Sequence, residues 1–289
     1  MIMKEKTNTS WLPRGITRVL LSLLIILVVP LLLIVGCQSK LIYFPHSYPP
    51  GISDNWQRMT AGRFIDFKTS QGNQRAFLQG DLKSPRNLWI VCCGNGSVAL
   101  DWSDWLTTHG PSGQAWLLVD LPGYGDCQGK PSPEHIRETF KGALPVAFRE
   151  LGWRATPDPQ RLRFFGHSLG SAACLIAASE FKIQRGVLIA PFTSTMDMAK
   201  KITGLPLGFL ITHRFDNTAR LAELAARGPG EVVILHGTDD GVIPIAMSRT
   251  LSQQQPNVVK LVEIKGGHHN DIQENYAGTL GEALAREGR

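Results

Sequence analysis

The chain has 289 residues, of which 43% are hydrophobic, and its formal net charge is +6. This length is ample for one packed core and short for two full-sized domains. Four basic residues and one acidic residue among the first 37 contribute +3 of the charge, so the rest of the chain carries only +3. The basic balance is therefore no indication of a nucleic-acid partner, and we expect none.

The first predicted element is an apolar leader. Residues 19–37 contain no charged side chain and follow the basic Arg14 and Arg18. This length lies between the core of a signal peptide, about 7–15 residues, and a membrane-spanning helix of about 20. One interpretation is a signal-anchor helix whose basic flank stays on the cytoplasmic side. The other, which we favour, is that residues 34–37 (IVGC) resemble a bacterial lipobox, which implies cleavage before Cys37 and lipidation of its thiol.

Both interpretations export the rest of the chain and tether it to a membrane, on the periplasmic or extracellular face of the cell envelope. We therefore divide the chain into a leader, residues 1–37, and a body, residues 38–289. The body contains four cysteines, Cys92, Cys93, Cys127 and Cys174. An even number permits disulfides in an exported protein, but a domain of this size needs none. We expect Cys174 to be a buried small hydrophobic residue.

The body alternates predicted strands and helices. Residues 62–70 and 74–81 indicate a hairpin with its turn at 71–73, and the apolar runs 87–94 and 115–123 are typical of strands covered on both faces. Further strands are predicted at 161–166, 186–191, 231–237 and 258–267, and helices at 100–107, 132–151, 168–181, 244–254 and 271–286. Strands separated by helices predict an α/β fold, with a mostly parallel sheet between two layers of helices.

Residues 192–230 form a connection longer than is usual between a strand and the next. Its first half is rich in apolar side chains, including Phe209 and Leu210. We predict that it forms a small cap over the edge of the sheet. Its apolar side chains suggest an acyl pocket walled by residues 192–211. The alternative is that they only pack the cap on the sheet.

Residues 163–173, RFFGHSLGSAA, place Ser168 between Gly166 and Gly170 where a strand becomes a helix. This is the G-x-S-x-G pattern of a nucleophile elbow, a turn so tight that the serine is strained and its neighbours must be small. A serine that merely caps a helix would not require both glycines. The pattern predicts that Ser168 presents its hydroxyl at the carboxyl edge of the sheet.

Two later loops offer the partners that a serine nucleophile needs. HGTDDGVIP, residues 236–244, and IKGGHHNDI, residues 264–272, each follow an apolar strand, so both should open at the same edge of the sheet as the elbow. A serine hydroxyl is a weak nucleophile at neutral pH, so an imidazole must accept its proton and a carboxylate must orient that imidazole. Each loop contains an adjacent pair of candidates, two aspartates in the first and two histidines in the second.

Together with CCGNG, residues 92–96, these ordered motifs resemble the α/β-hydrolase superfamily, and the resemblance covers about residues 40–289. It implies an α/β-hydrolase fold with Ser168 as the nucleophile, Asp240 as the acid and His269 as the base. It also implies an oxyanion hole made by the backbone N–H groups of Asn95 and Leu169. Cys93 stands where that family usually has a histidine. Asp120, in a glycine-rich loop before the elbow, is expected to be structural rather than catalytic.

The sequence thus predicts a membrane-tethered, exported serine hydrolase that cleaves carboxylic esters or thioesters through an acyl-enzyme intermediate. Its expected partners are a small-molecule or lipid-like acyl substrate and the membrane, and no cofactor or metal is implied. An acyltransferase or a peptidase would use the same three residues. From a different class, a non-catalytic binding or scaffolding lipoprotein could retain the same fold.

Overall fold

The computed structural model describes residues 14–289. The leader forms helix α1, Arg14–Ile42, and the predicted boundary at residue 37 falls inside it. The helix therefore continues into the first residues of the body. The side chain of Cys37 lies outside the described part of the chain, so its lipidation stays a prediction from the sequence. Among the residues described, no helix is long and apolar enough to cross a membrane.

The strands occur where the apolar runs predict them. Within residues 14–289 they are β1 Arg63–Thr69, β2 Gly72–Gly80, β3 Asn87–Cys92, β4 Gln114–Val119, β5 Leu162–His167, β6 Arg185–Ile189, β7 Glu231–Gly237 and β8 Val259–Ile264. The central strands are buried along their whole length, as expected of strands that have helices on both faces.

The remaining helices follow the strands in alternation. They are α2 Ile52–Thr60, α3 Ser103–His109, α4 Pro133–Glu150, α5 Leu169–Phe181, α6 Thr195–Thr203, α7 Asn217–Ala226, α8 Ile245–Gln254, α9 Ile272–Asn275 and α10 Ala277–Glu287. Short 3₁₀ turns occur at Ala99–Trp102, Pro159–Arg161 and Leu207–Leu210.

The strands form one sheet in the order β1-β2-β4-β3-β5-β6-β7-β8. The pairs β1–β2 and β2–β4 are antiparallel, and every pair from β4 to β8 is parallel. The predicted mostly parallel sheet with helices on both faces is confirmed. Because β5, β7 and β8 run in the same direction, the loops after them open at one edge of the sheet.

Two local predictions were inexact. The first hairpin turns earlier than predicted, because Gly72 already pairs with Thr69 in the ladder and adopts a φ of 102° that glycine accepts readily. The last predicted helix is divided at Tyr276, whose φ of −128° is not helical. Neither change moves a strand end that carries a candidate site residue.

The cap segment, residues 192–230, contains α6, the turn Leu207–Leu210 and α7. Phe215, Leu221 and Leu224 are buried and hold it on the sheet domain. Ile202, Leu205 and Phe209 instead have exposed fractions of 75%, 55% and 64%. The second half of the cap segment thus packs on the sheet, whereas several large apolar side chains of its first half are exposed.

Candidate active site

Ser168 lies in a strained turn between β5 and α5. Its φ is 54° and its ψ −119°, a conformation that a residue with a side chain rarely adopts. The turn is held because the Ser168 N–H donates to the carbonyl oxygen of Ile189 at the end of β6, over 2.8 Å. The strained backbone that the elbow pattern predicts is therefore present.

The two glycines of the elbow have different neighbours. A Cβ atom at Gly166 would lie 2.7 Å from the carbonyl oxygen of Gly170, so this glycine avoids a collision across the turn, as predicted. A Cβ atom at Gly170 would overlap the carbonyl oxygens of Cys92 and Cys93 at the end of β3. Gly170 is thus required by the approach of α5 to the neighbouring strand rather than by the turn itself.

Three side chains from three strand ends meet at the elbow. His269 Nε2 lies 3.0 Å from Ser168 Oγ, and His269 Nδ1 lies 2.7 Å from Asp240 Oδ2. The carboxylate is an acceptor, so Nδ1 carries the ring proton and Nε2 is available to accept from the hydroxyl. Ser168 and His269 are 7% and 8% exposed, so the three groups lie in a largely desolvated row.

Asp240 is held in place on both of its oxygens. Oδ1 accepts the backbone N–H groups of Val242 and Ile243, each over 2.8 Å, while Oδ2 receives His269. Burial alone would raise the pKa of Asp240. The hydrogen bonds from His236 and His269 outweigh burial and hold that pKa well below its usual range. Asp240 is therefore a carboxylate at neutral pH.

His236 is a member of this cluster that the sequence did not single out as a site residue. Its ring is fully buried, and its Nε2 lies 3.2 Å from Asp240 Oδ2 and 2.9 Å from the carbonyl oxygen of Ile243. Its Nδ1 lies 2.7 Å from Ser248 Oγ. Asp240 is thus clamped by histidines on two sides. The position of His236, four residues before Asp240, was the feature of the sequence that could have identified it.

The adjacent candidates in both loops face away from the cluster. Asp239 is exposed, and its Oδ1 accepts the hydroxyl of Thr238 over 3.0 Å. His268 is also exposed, and its Nδ1 lies 2.9 Å from the carbonyl oxygen of Asp239. The structure therefore brings Asp240 and His269 to Ser168 and leaves Asp239 and His268 toward solvent.

His167 is a second histidine that sequence reasoning passed over. Its Nε2 lies 3.0 Å from the carbonyl oxygen of His269, so this nitrogen carries the proton and donates. Burial, reinforced by the nearby His269, lowers the pKa of His167 to about 4. A neutral His167 thus ties the elbow to the loop that carries His269.

Of the two predicted oxyanion donors, Asn95 lines the same cavity as Ser168, and Leu169 is the next residue after Ser168. The loop after β3 contacts Ser168, since a Cβ atom at Gly94 would be 3.6 Å from Ser168 Cβ. The carbonyl oxygen of Asn95 accepts the hydroxyl of Tyr124 over 2.9 Å, and its side chain donates to the carbonyl oxygen of Ile42 over 3.1 Å. Within residues 14–289, the N–H groups of Asn95 and Leu169 donate to no protein acceptor, which leaves both available to a bound oxygen atom.

A cavity of about 310 Å³ opens beside Ser168, at the lower end of the range for ligand pockets. Its walls combine the loop after β3 with the loops after β7 and β8, and they include Asn95, Asp101, Trp102, Val242, Ile272 and Gln273. None of residues 192–211 lines it. The prediction that the cap walls the acyl pocket is wrong for this cavity, because the apolar side chains of the cap turn outward instead.

The other singled-out residues have structural contacts. Asp120 accepts the Ala99 N–H and the Tyr48 hydroxyl, each over 2.7 Å, and burial raises its pKa to about 7. It makes no hydrogen bond to the Ser168 cluster in the described part of the chain. The four body cysteines are buried free thiols, with Cys174 fully buried as expected.

A sheet of this topology, with an elbow serine after β5, an acid after β7 and a histidine after β8, defines a class of protein fold. The chain has the α/β-hydrolase fold. No protein-family model matches it. The predicted fold is confirmed by the solved structures that it resembles, and the relatives that it resembles include proteins named for the α/β-hydrolase domain.

Among curated proteins, the chain is 28% identical over 239 residues to an uncharacterized protein of Mycobacterium tuberculosis, covering 81% of each. It is 27% identical over 161 residues to human alpha/beta hydrolase domain-containing protein 17C, covering 56% of this chain and 45% of that protein. The chain thus spans less than half the length of this second relative.

Among solved structures, the chain resembles an esterase of Pyrococcus furiosus, with a TM-score of 0.61 and 16% identity over 85% of this chain and 96% of that one. It also resembles a 2-hydroxy-6-oxo-6-phenylhexa-2,4-dienoate hydrolase of Rhodococcus, with a TM-score of 0.55 and 15% identity over 78% and 99%. At these identities the likeness establishes the fold alone.

Proposed function

We propose that this protein is a membrane-tethered, exported serine hydrolase that cleaves carboxylic esters or thioesters through an acyl-enzyme intermediate. One observation carries the proposal. Ser168 Oγ, His269 and Asp240 form a continuous hydrogen-bonded row, with distances of 3.0 and 2.7 Å, at the wall of a cavity. This is the arrangement that activates a serine hydroxyl.

In the first half-reaction, His269 Nε2 accepts the proton of Ser168 as Oγ bonds to the acyl carbon. Asp240 stabilises the imidazolium that forms and keeps its ring in the productive orientation. The N–H groups of Asn95 and Leu169 donate to the oxyanion, where one such donor is worth about 3 kcal/mol in enzymes of this type. The imidazolium then returns its proton to the departing alcohol or thiol.

In the second half-reaction, water takes the place of the leaving group. His269 accepts a proton from the water as its oxygen attacks the acyl carbon of the ester on Ser168. The Ser168–acyl bond then breaks, Ser168 recovers a proton from His269, and the carboxylic acid leaves. No group beyond the chain's own residues and water enters these steps.

The names of similar proteins support hydrolysis as the reaction class. They include an esterase and proteins named for the α/β-hydrolase domain. The membrane tether and the export rest on the leader, an uncharged apolar run that follows basic residues and ends at Cys37. The same row of side chains would serve an acyltransferase or a peptidase, so the substrate must be tested directly.

A fluorophosphonate probe tests the nucleophile. We expect the wild type to be labelled and Ser168→Ala to lose both labelling and ester hydrolysis while remaining folded. Ser97 lines the same cavity and provides a matched control, so Ser97→Ala should keep its label. Label that persists on Ser168→Ala would assign the chemistry to another residue, and an unlabelled wild type would favour the non-catalytic alternative.

A panel of p-nitrophenyl esters from acetyl to palmitoyl, with matching thioesters, tests the substrate class. Turnover of any member supports the hydrolase. Labelling by the probe without turnover of any ester or thioester would instead favour the peptidase or the acyltransferase. A panel of short peptide amides then separates the two, because only a peptidase hydrolyses them.

A further inference from the structure

The residues that join the leader to the body are fastened to the cap. Gln38 is only 2% exposed. Its Nε2 donates to the carbonyl oxygen of Leu210, and its Oε1 accepts both the N–H and the hydroxyl of Thr212, over 2.7 and 2.9 Å. Tyr43 Oη lies 3.1 Å from His213 Nδ1. The end of α1 is therefore a fixed part of the cap rather than a flexible linker.

This attachment limits how far the cap can lie from the membrane. If Cys37 carries the lipid, the anchored residue is the immediate neighbour of Gln38, about 3.8 Å away along the chain. If the leader is instead a signal anchor, α1 leads from it to the cap without interruption. In both alternatives of the tether, the cap is the part of the body that lies next to the anchored residue.

The cap carries exposed apolar residues. Phe209 lies in the turn that Gln38 holds, Leu205 lies just before that turn, and Ile202 lies near the end of α6. Leu41, one helical turn after Gln38, is 64% exposed. We call the group of Leu41, Ile202, Leu205 and Phe209 the apolar face. The turn Leu207–Leu210 contacts both α6 and α1, so these exposed apolar side chains lie on adjoining elements, as expected of an interaction surface.

The exposed charges of residues 195–214 and of the last turn of α1 are mostly basic. Lys200 and Arg214 are exposed on the cap, and Lys40 is exposed on the last turn of α1. Asp197 is the one acidic residue in residues 195–214, and its carboxylate is occupied by the hydroxyls of Thr193 and Ser194. Apolar side chains with a basic border fit a surface of anionic phospholipid.

The apolar face is also connected to the rim of the cavity at two points. Lys201 on α6 donates to the carbonyl oxygen of Val242 over 2.9 Å. The side chain of Asn95 donates to the carbonyl oxygen of Ile42, near the end of α1. Val242 and Asn95 both line the cavity. Contact at the apolar face would therefore fix the position of the cavity relative to the lipid.

We propose that the apolar face, with its basic border, docks on an anionic phospholipid surface and holds the Ser168 cavity at the membrane for acyl substrates carried in the lipid. The inference rests on the proposed tether and hydrolase activity. It goes beyond them because a tether alone leaves the orientation of the domain free, whereas docking fixes it.

The test uses the full chain reconstituted in vesicles of phosphatidylcholine with phosphatidylglycerol, with hydrogen exchange and turnover as readouts. We expect amides of residues 200–211 to exchange at least about fivefold more slowly in vesicles than in detergent, and Phe209→Glu to abolish this protection. The same variant should lose a similar factor in turnover of a vesicle-borne long-chain ester while hydrolysing soluble p-nitrophenyl acetate normally. Met59→Glu is the matched control, since Met59 is 74% exposed on α2, outside the apolar face, and should change nothing.

Protection and vesicle turnover that are the same in Phe209→Glu and the wild type would overturn the proposal. Protection that depends on protein concentration in detergent, without lipid, would assign the apolar face to a second copy of the chain and also overturn it. A wild type that hydrolyses neither ester and is not labelled by fluorophosphonate would refute the hydrolase instead, while hydrogen exchange still reports on docking.

Discussion

Replacing Asp240 by asparagine removes the charge of one oxygen and turns it into an N–H donor, with little change in shape. In the native site, Oδ2 accepts from His269 and His236, while Oδ1 accepts two backbone N–H groups. An asparagine has one acceptor oxygen for these four donors. If its amide nitrogen faces His269, two donors oppose each other; if it is turned round, the amide nitrogen opposes the N–H groups of Val242 and Ile243.

The first orientation favours the tautomer of His269 in which Nε2 carries the proton and cannot accept from Ser168. In a serine protease the equivalent change lowers kcat by about 10⁴, and we expect a loss of that order here. The second orientation leaves buried donors without an acceptor, at a cost of about 1–3 kcal/mol in stability. Asp239→Asn should change stability by less than about 0.5 kcal/mol, because its carboxylate is exposed.

The assay compares kcat for p-nitrophenyl acetate in the two variants, after urea denaturation has shown how much of each is folded. A deficit of Asp240→Asn smaller than about tenfold would refute the assignment of the acid, since the precedent for losing the orienting carboxylate is several orders of magnitude larger. A large deficit in Asp239→Asn with a mild one in Asp240→Asn would transfer the role to Asp239.

Two further predictions concern the leader and the elbow. Cys37→Ser should prevent processing and the incorporation of labelled palmitate if the lipobox interpretation holds; an intact leader and no lipid in either protein would support the signal anchor. Gly170→Ala should cost at least about 3 kcal/mol in urea denaturation, because its methyl group would overlap two carbonyl oxygens of β3. Gly278→Ala in α10 meets nothing within 4 Å and should instead be stabilising by up to about 1 kcal/mol; equal effects of the two changes would contradict this explanation.

The fold could be predicted from sequence because its main signals are local. Continuous apolar runs marked the buried strands β3, β4 and β5, and helical stretches separated them. The elbow was predictable for the same reason, since both glycines lie within two residues of Ser168. The loops with Asp240 and His269 follow strands that were already recognised, so their place at one edge of the sheet followed from the parallel topology.

What could not be predicted depends on contacts between distant parts of the chain. His167 meets a carbonyl 102 residues away, and Gln38 meets the cap across 174 residues. The orientation of the apolar residues of the cap could not be predicted for the same reason. Their composition could not distinguish a face that packs on the sheet from one that points outward, because burial of Phe209 is decided by what lies opposite it. The sequence therefore located the strand ends but not the contacts of the cap.

The buried His167 also has a consequence for stability at acidic pH. Its pKa is about 4 in the folded protein and about 6.5 in an unfolded chain. As the pH falls through that interval, the unfolded chain binds the proton first. The contribution of the neutral His167 to the free energy of unfolding is therefore fully present above pH 6.5 and is lost toward pH 4. This difference in pKa corresponds to about 3 kcal/mol in the free energy of unfolding.

Asp120 and Glu287 have the opposite effect on stability as the pH falls. Burial raises the pKa of each to about 7, so both bind protons in the folded protein over the same range of pH. A difference between variants isolates the histidine. His167→Gln keeps an N–H donor for the carbonyl of His269 but has no titrating group, so between pH 7 and 4.5 it should lose about 2–3 kcal/mol less stability than the wild type. The exposed His46→Gln is the control and should follow the wild type. Parallel curves for His167→Gln and the wild type, measured by urea denaturation at each pH, would show that His167 is not held neutral by the fold.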